Sequence, residues 1–364
     1  MTKLPVSTLQ EFMTEVLTRI GVPASDAQIC SEILIASDLR GIESHGIGRL
    51  KMYYDRIRAG IQDPITRIDV VKDRMATAVW DGNHGMGHVI SKSAMQTAID
   101  KAAQFGLGAV AVRNSTHYGI CGFYAEMATR QDMIGLTFTN ARPSVCPTHG
   151  VQPLLGTNPI CFGAPTQLGF PFIYDAATSI SQRGKIEQYA REGKDTPSGW
   201  AIDLNGNAHT RTPELLVDLV KQTASLLPIG GTDEVSGSHK GYGLSTMVEI
   251  LCAALANGSF LNGLLGQDAD GKPAPYRLGH FFMAINIAFF TELDEFKSTS
   301  SEICRQLQNS LKYPGQQRIW VAGEKEHEKR LQVLAEGVPV IPKLQQDIIT
   351  MQRELGFEML KFVV

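Results

Sequence analysis

Apolar positions recur at helical spacing over the first sixty residues and predict three helices. In the first, apolar residues between positions 9 and 20 repeat every three or four residues, and Gly21 supplies a stop. Capping-box patterns at Ser7–Gln10 and Ser25–Gln28 predict where the first two helices begin. The third predicted helix spans Ser44–Gly60, with its apolar residues on one face.

Short apolar segments alternate with helical patterns after Pro64. The predicted strands span 68–71, 76–80, 108–113, 134–139, 160–164, 172–175 and 281–290, the last as a central strand. The predicted helices span 89–105, 121–130 and 241–256, with two charged helices that begin at Glu295 and Glu324. We therefore predict a mixed α/β protein with helical ends around a strand-rich middle.

Composition and charge narrow the class of protein. Hydrophobic residues make up 43% and charged residues 20%, which is typical of a globular chain. The 34 basic and 37 acidic residues give a net charge of −3 without long blocks, which argues against a nucleic-acid partner. The longest nearly apolar run, 281–290, falls short of the ~20 residues of a membrane span. Six scattered cysteines without a CxxC pair indicate reduced thiols, so we expect a cytoplasmic protein with no membrane partner.

A nucleotide-binding fingerprint is missing from the sequence. No GxGxxG motif joins a strand to a helix, and Gly241–Thr246 (GYGLST) lacks the third glycine. If a dinucleotide binds to this chain, an architecture other than the Rossmann fold must hold it.

His45, Arg49 and Tyr53 recur four residues apart, so a helix would align them in one row. A guanidinium can bind a carboxylate with two hydrogen bonds, and an imidazole can transfer a proton near neutral pH. The row would therefore suit a small anionic substrate. A solvated helix face could carry the same three residues, and the spacing alone leaves both interpretations open.

Polar loops at the ends of predicted strands are further candidates for binding. They are Ser115–Gly119 with His117, Gly156–Pro159, Asp175–Ser179, and the glycine-rich approach to Lys240. Each could equally be an ordinary loop. His84 and His88 have the spacing of metal ligands on a helix, but glycines lie between them and no third ligand is near, so we predict no metal site.

Taken in order, five motifs resemble those of the type-2 malate/L-lactate dehydrogenase family. They are Glu43–Gly46 (ESHG), Asn114–Gly119 (NSTHYG), Gly156–Pro159 (GTNP), Asp175–Ser179 (DAATS) and His239–Leu244 (HKGYGL). Together they extend the resemblance over nearly the whole chain.

The resemblance implies a fold and an assembly. Members of this family bind NAD(P) on a non-Rossmann α/β domain with a mostly antiparallel sheet, and they are homodimers. We expect a helical domain built from both chain ends, with a segment 1–66 that carries His45. The region 67–312 would bind cofactor and substrate, and the segment 313–364 would pack back on the helical part.

The resemblance also implies roles for individual residues. His45 would donate the proton to the substrate oxygen, and His117 is the second candidate for that role. The residues expected around the substrate are Ser44, Arg49, Tyr53, Thr157 and Asn158. The residues expected around the cofactor are Ile173, Tyr174, Asp175, Ala177, Thr178, Ser179, His239, Lys240, Pro314, Gly315 and Gln316. Gln316 departs from the glutamate that the family commonly has there, which puts a charged contact at this position in doubt.

The expected function is hydride transfer between a nicotinamide and C2 of a small 2-oxo or 2-hydroxy acid. Malate/oxaloacetate is the first choice, with NAD as the cofactor and NADP as an alternative. Lactate, sulfolactate, ureidoglycolate and cyclic imines are alternative substrates within the family. A non-catalytic protein that binds small anions is the alternative from a different class.

Overall fold

The computed structural model describes residues 2–362, which form eleven helices and eleven strands apart from short 3₁₀ turns. The helices are α1 (Val6–Arg19), α2 (Ala24–Leu39), α3 (Leu50–Arg58), α4 (Gly87–Phe105), α5 (Cys121–Thr129), α6 (Arg183–Arg191), α7 (Thr212–Lys221), α8 (Ser238–Ala253), α9 (Leu293–Asn309), α10 (Glu324–Glu336) and α11 (Pro342–Leu355). The strands are β1 (Thr2–Leu4), β2 (Asp69–Asp73), β3 (Thr77–Asp81), β4 (Leu107–Ser115), β5 (Met133–Thr139), β6 (Ile160–Ala164), β7 (Phe172–Ala176), β8 (Ala201–Asp203), β9 (Ala224–Leu226), β10 (Leu278–Asn286) and β11 (Val338–Val340).

A seven-stranded sheet in the order β2-β3-β4-β10-β5-β6-β7 forms the centre of the molecule. Its neighbouring strands are antiparallel except for the pair β3–β4. This confirms the prediction of a mixed α/β fold with a mostly antiparallel sheet. Strand β10 is central as predicted, but it ends at Asn286, whose side chain accepts a hydrogen bond from Ala288 N and begins a 3₁₀ turn.

Helices cover both faces of this sheet. On one face α4 and α5 pack on β4, β5 and β10 through a core that includes Ile90, Val112, Tyr124 and Phe282. On the other face α8 packs on the same strands. The central strands β4, β5 and β10 are therefore buried between helices, and the strand ends are left to form a site.

Both ends of the chain contribute to one helical cluster. Helices α1, α2, α3 and α11 share a core that includes Phe12, Leu34, Tyr54 and Met351. Strand β1 pairs antiparallel with β11 and closes this unit. The helical domain from both chain ends is thus confirmed, whereas the boundaries at residues 66 and 312 stay predictions.

The predicted starts of the first two helices are wrong. Helices α1 and α2 begin directly after Pro5 and Pro23, and neither has a side-chain cap. Ser7 and Ser25 consequently lie inside the first helical turn. Pro5 and Pro23 have ψ of 142°, which is extended backbone, so each helix begins at the residue that follows.

The third helix is shorter than predicted. Helix α3 begins at Leu50, after a 3₁₀ turn over Ile47–Arg49 and a non-helical Gly46 with ψ −143°. His45 therefore lies in a loop rather than in a helical row with Arg49. Helix α8 begins at Ser238, three residues before the predicted start, and helices α6, α7 and α11 were not predicted.

Among residues 2–362, none of the helices combines the length and the apolar character that a membrane crossing requires.

Candidate functional site

A cleft of about 660 Å³ lies at one end of the central sheet, where the ends of β4, β5 and β7 meet the starts of β6 and β10. The loop after α2 closes its other side with Ile42 and His45. Polar loops follow several of these strand ends, and the fold brings them together here. Of the predicted site residues, His45, His117, Thr157, Asp175, Ala177 and Ser179 line the cleft.

His45 enters the cleft from the loop between α2 and α3. Its Nδ1 lies 2.8 Å from the Ser44 hydroxyl, and its ring stacks on His117 with 5.6 Å between the ring centroids. Burial and, to a smaller extent, the positive charge of Arg49 lower the pKa of His45 to about 4. The ring is therefore neutral at pH 7 in the ligand-free protein.

His117 follows β4 and has a defined tautomer. The Tyr53 hydroxyl lies 2.5 Å from its Nδ1, and the Gly119 backbone N–H donates to the same atom over 3.4 Å. A backbone N–H can only donate, so Nδ1 accepts, and the neutral ring carries its proton on Nε2. Burial, followed by the electrostatic effects of the neighbouring His45 and Arg49, holds the pKa of His117 well below its usual range.

Tyr53 is fully buried, with its ring edge against His88 at 4.9 Å between the centroids. Burial raises the pKa of its hydroxyl, which stays protonated and can donate to His117. The interpretation of His45, Arg49 and Tyr53 as a solvated helix face is therefore wrong. Tyr53 also does not line the cleft, because its hydroxyl is directed at His117.

Arg49 is held beside this pair of histidines. Its Nε donates to the Ser44 carbonyl oxygen over 2.5 Å, and Gly184 of α6 lies against both residues. Within residues 2–362 no carboxylate forms an ion pair with Arg49, Arg56 or Arg142. The positive charge of Arg56 contributes to the low pKa of both His117 and Arg142. Arg49 and Arg56 thus place positive charge near the histidine pair that no ion pair offsets among residues 2–362, while the Asp175 carboxyl lines another part of the cleft.

Asn158 does not line the cleft, and neither do the other predicted substrate residues Ser44, Arg49 and Tyr53. Asn158 is fully buried, and its amide oxygen accepts from Ala141 N while its amide nitrogen donates to Ser245 O and Glu249. Protein groups thus occupy both ends of the side chain, and Asn158 supports the wall of the cleft. Its partner Glu249 was not predicted.

The predicted cofactor residues around the end of β7 differ in their exposure and in the cavity that they line. Asp175 accepts a hydrogen bond of 2.7 Å from Gly122 N at the start of α5. It borders both the cleft and a neighbouring cavity of about 540 Å³, which Ile173 also lines. Tyr174 is 42% exposed and lines neither space, and the buried Thr178 donates to the carbonyl oxygens of Thr157 and Asn158.

Two predicted cofactor segments stay apart from the cleft. His239 and Lys240 are exposed in the first turn of α8, and Pro314, Gly315 and Gln316 are exposed in a turn closed by Gln316 N and Tyr313 O. None of these five residues lines the cleft. The structure therefore gathers the residues predicted for proton transfer but does not bring the whole predicted cofactor set together.

Sequence analysis missed Asp38, which lies under the loop that carries His45. Asp38 is 3% exposed, and its Oδ2 accepts a hydrogen bond of 2.8 Å from Ile47 N. Burial raises the pKa of this carboxyl to about 8. An acidic residue in the last turn of α2, after the apolar run Ile33–Ala36, was the available signal. Within residues 2–362 no three His, Cys, Asp or Glu side chains form a group that could hold a metal.

Comparison with known proteins assigns the family. Residues 4–349 match the family model described as malate/L-lactate dehydrogenase. The chain is 44% identical to a malate dehydrogenase of Pyrococcus abyssi over 357 residues. This alignment covers 97% of this chain and 95% of the relative.

Two solved structures share the fold. The malate dehydrogenase from Entamoeba histolytica matches with a TM-score of 0.96 and 41% identity over 99% of both chains. The sulfolactate dehydrogenase from Methanocaldococcus jannaschii matches with a TM-score of 0.86 and 34% identity over 98% of both chains. Because the family model matches nearly the whole chain and these relatives share its sequence and fold, this chain belongs to the malate/L-lactate dehydrogenase family of nicotinamide-dependent dehydrogenases.

Proposed function

We propose that this protein interconverts malate and oxaloacetate, with His45 and Arg49 as the residues that act on the substrate. The observation that carries the proposal is one juxtaposition. Two neutral histidines stack in a cleft beside Arg49, which has no carboxylate partner among residues 2–362. When bound, the nicotinamide supplies or accepts the hydride at C2 of the acid.

Arg49 would bind the carboxylate next to C2. Its Nε is used by the Ser44 carbonyl, and the rest of the guanidinium has no hydrogen-bond partner among residues 2–362. A planar guanidinium orients a carboxylate as well as neutralising it. Arg56 and Arg142 add positive charge that a second carboxylate would offset. This charge is the reason to favour a dicarboxylate over lactate.

His45 would transfer the proton, and His117 would donate a hydrogen bond. His117 presents Nε2–H because Nδ1 already accepts from Tyr53 and Gly119. An anionic substrate next to His45 would favour the charged form of the ring and so raise its pKa, against the effects of burial and of Arg49. His45 could then protonate the developing alkoxide as hydride arrives at C2.

The cleft fits the nicotinamide end of a dinucleotide. Small residues, including Gly119, Ala176 and Ala177, leave room for a flat ring, and the Ser181 hydroxyl is buried with no partner among residues 2–362. Ser181, Asp175 and Ser179 would hold this end. The neighbouring cavity, reached past Asp175 and lined by Ile173, would take more of the molecule. NAD is the proposed cofactor, and titration with NADPH beside NADH tests that choice.

A second copy of the chain is the proposed partner, and the cytoplasm is the proposed location. The outward face of α8 exposes Met247 and Ile250, the latter to 57%, and Phe260 beside it is 62% exposed. An apolar patch of this kind is typical of an interface between subunits. Ile250→Glu should shift the protein from dimer to monomer in analytical ultracentrifugation, and a wild-type monomer would overturn this assignment.

The function is tested by following NADH absorbance with a panel of acids. The panel contains oxaloacetate, sulfopyruvate, pyruvate and a cyclic imine carboxylate. We expect kcat/KM to be highest for oxaloacetate, since its second carboxylate can use the charge of Arg56 and Arg142. Faster reduction of another member would replace malate by that acid, and no oxidation of NADH or NADPH with any of them would overturn the assignment of the substrate class.

A further inference from the structure

The loop that positions His45 spans residues 40–46 and is closed at its base by one side chain. This segment, the His45 loop, leaves α2 through Gly41, which has a φ of +71°, and enters the 3₁₀ turn at Ile47. Asp38 Oδ2 accepts the Ile47 N–H over 2.8 Å and so connects the two ends of the loop. Within the loop, the His45 N–H donates to Ile42 O over 3.0 Å.

Gly46 provides the second contact between Asp38 and the loop. A Cβ at Gly46 would overlap the Asp38 carboxyl group, so the carboxyl lies directly against the Cα that follows His45. Hydrogen bond and packing contact together fix the backbone on the C-terminal side of His45. The orientation of the His45 imidazole relative to the cleft depends on the conformation of this backbone.

The location of the Asp38 carboxyl group is unfavourable for the stability of the folded protein. The side chain is 3% exposed, and it lies in the last turn of α2, where the helix dipole disfavours a negative charge. Its neighbours Ile33–Ala36 are buried apolar residues. An apolar residue would pack in this position without that cost, so the carboxyl group requires an explanation other than helix stability.

We infer that Asp38 is a positioning residue for the reaction, which holds the His45 loop so that the His45 ring faces the cleft. The inference rests on the proposed role of His45 in proton transfer. Asp38 does not line the cleft and acts through the loop backbone.

Three variants test this role: Asp38→Ala, Asp38→Asn and Ser37→Ala. In metal sites, loss of a residue that orients a ligand costs ~10–100-fold, and by analogy we expect Asp38→Ala to lower kcat by about that factor with little change in NADH affinity. Asparagine has the size of a protonated aspartate and keeps an acceptor for Ile47 N, so it should restore most of kcat. Ser37 is equally buried, but its hydroxyl bonds only to Ile33 O within α2, so Ser37→Ala controls for general destabilisation.

A double-mutant cycle separates positioning from simple loss of stability. If Asp38 acts through His45, removing Asp38 in the His45→Ala background causes no further loss of kcat. Losses that multiply, a wild-type kcat in Asp38→Ala, or an Asp38→Asn variant as impaired as Asp38→Ala would each overturn the inference. Should Asp38→Ala fail to fold, Gly46→Ala disturbs the same contact from the loop side and should lower kcat in the same way.

A spectroscopic readout does not depend on turnover. In protein labelled with ¹⁵N-histidine, the His45 ring signal is identified by its absence from His45→Ala. We expect this signal to shift or broaden in Asp38→Ala and to stay unchanged in Ser37→Ala. An unchanged His45 signal in Asp38→Ala would overturn the inference, whereas failure of the acid panel alone would overturn the proposed function and leave the positioning role of Asp38 intact.

Discussion

The histidine side of the site and the segments predicted to contact the cofactor differ in how they are held. His45, His117, Tyr53 and Arg49 are fixed by hydrogen bonds to one another or to Ser44, around a fully buried tyrosine. His239–Lys240 and Pro314–Gln316 are exposed and contact none of these groups through a hydrogen bond among residues 2–362. The comparison indicates that the groups for proton transfer are preorganised within one chain, which reduces the reorganisation needed during reaction.

The exposed segments His239–Lys240 and Pro314–Gln316 would need less precise geometry to bind the cofactor. A phosphate or ribose can be bound by mobile or surface groups, because affinity tolerates small changes in geometry better than proton transfer does. We therefore expect substitutions on the histidine side to lower kcat strongly. Substitutions in the exposed segments should instead change cofactor affinity by smaller factors.

The largest effect is expected from His45→Ala. Removal of a general acid lowers the rate by ~10²–10⁴-fold, and NADH affinity should change little because the lost group acts on the substrate oxygen. Steady-state kinetics with oxaloacetate and a fluorescence titration with NADH measure the two effects. His209, which pairs with Asp218 away from the cleft, provides a control as His209→Ala. If His45→Ala kept an activity within a few-fold of wild type, His117 would become the candidate for the proton donor.

Arg49→Lys should be the next most harmful change. Lysine keeps the charge but lacks the planar fork, and charge-assisted hydrogen bonds contribute roughly 1.5–3 kcal/mol each, or about 10–150-fold in kcat/KM. The loss should appear for every carboxylate substrate. Arg67→Lys, on a side chain that is 70% exposed, is the matched control. A wild-type kcat/KM in Arg49→Lys would take Arg49 out of the substrate site.

Tyr53→Phe tests the tautomer of His117. Without the hydroxyl, Nδ1 keeps only the longer bond from Gly119, so both tautomers become accessible and kcat should fall by ~10-fold. Tyr54→Phe is a closely matched control, since Tyr54 is also buried but its hydroxyl bonds to Glu354 at 2.6 Å. The ¹⁵N shifts of the His117 ring report the tautomer directly. A proton on Nδ1 in the wild type would contradict the assignment to Nε2, and a spectrum unchanged in Tyr53→Phe would show that Tyr53 does not set the tautomer.

Regular elements with strong patterns were predictable from sequence, and long-range contacts were not. Strand β6 has the predicted bounds at Ile160–Ala164, because its apolar run has turn residues on both sides. Helix α6 was missed because Ile186 is its one buried residue, so it has little apolar periodicity to detect. The glycines at 46 and 48 weakened the predicted third helix, and they mark the turn that places His45 in a loop.

In the candidate site, too, local spacing was predictable from the sequence and long-range contacts were not. Spacing suggested that His45, Arg49 and Tyr53 act together, and the structure does bring them together, although through a loop and a 3₁₀ turn instead of one helix. The partners that organise them, His117 for Tyr53 and Asp38 for Ile47, lie 64 and 9 residues away in sequence. Such pairs form only when the sheet and helices have packed, so local patterns do not reveal them.

The smallest effect is expected from Lys240→Ala, which tests the exposed side of the comparison. Lys240 lies in the first turn of α8, where free N–H groups and the helix dipole favour an anion such as a phosphate. An exposed charge contributes about 1 kcal/mol or less, so the Kd for NADH should rise by only ~3–6-fold, while kcat at saturating NADH stays near wild type. Lys221 is an exposed lysine at the end of α7, and Lys221→Ala should leave both values unchanged.

The expected rise in the Kd for NADH in Lys240→Ala should also shrink at high salt, because salt screens an exposed charge. A fall in kcat of the size expected for Tyr53→Phe would instead place Lys240 among the preorganised groups and remove the distinction between the two sides. An unchanged Kd at low salt would take Lys240 out of the cofactor site.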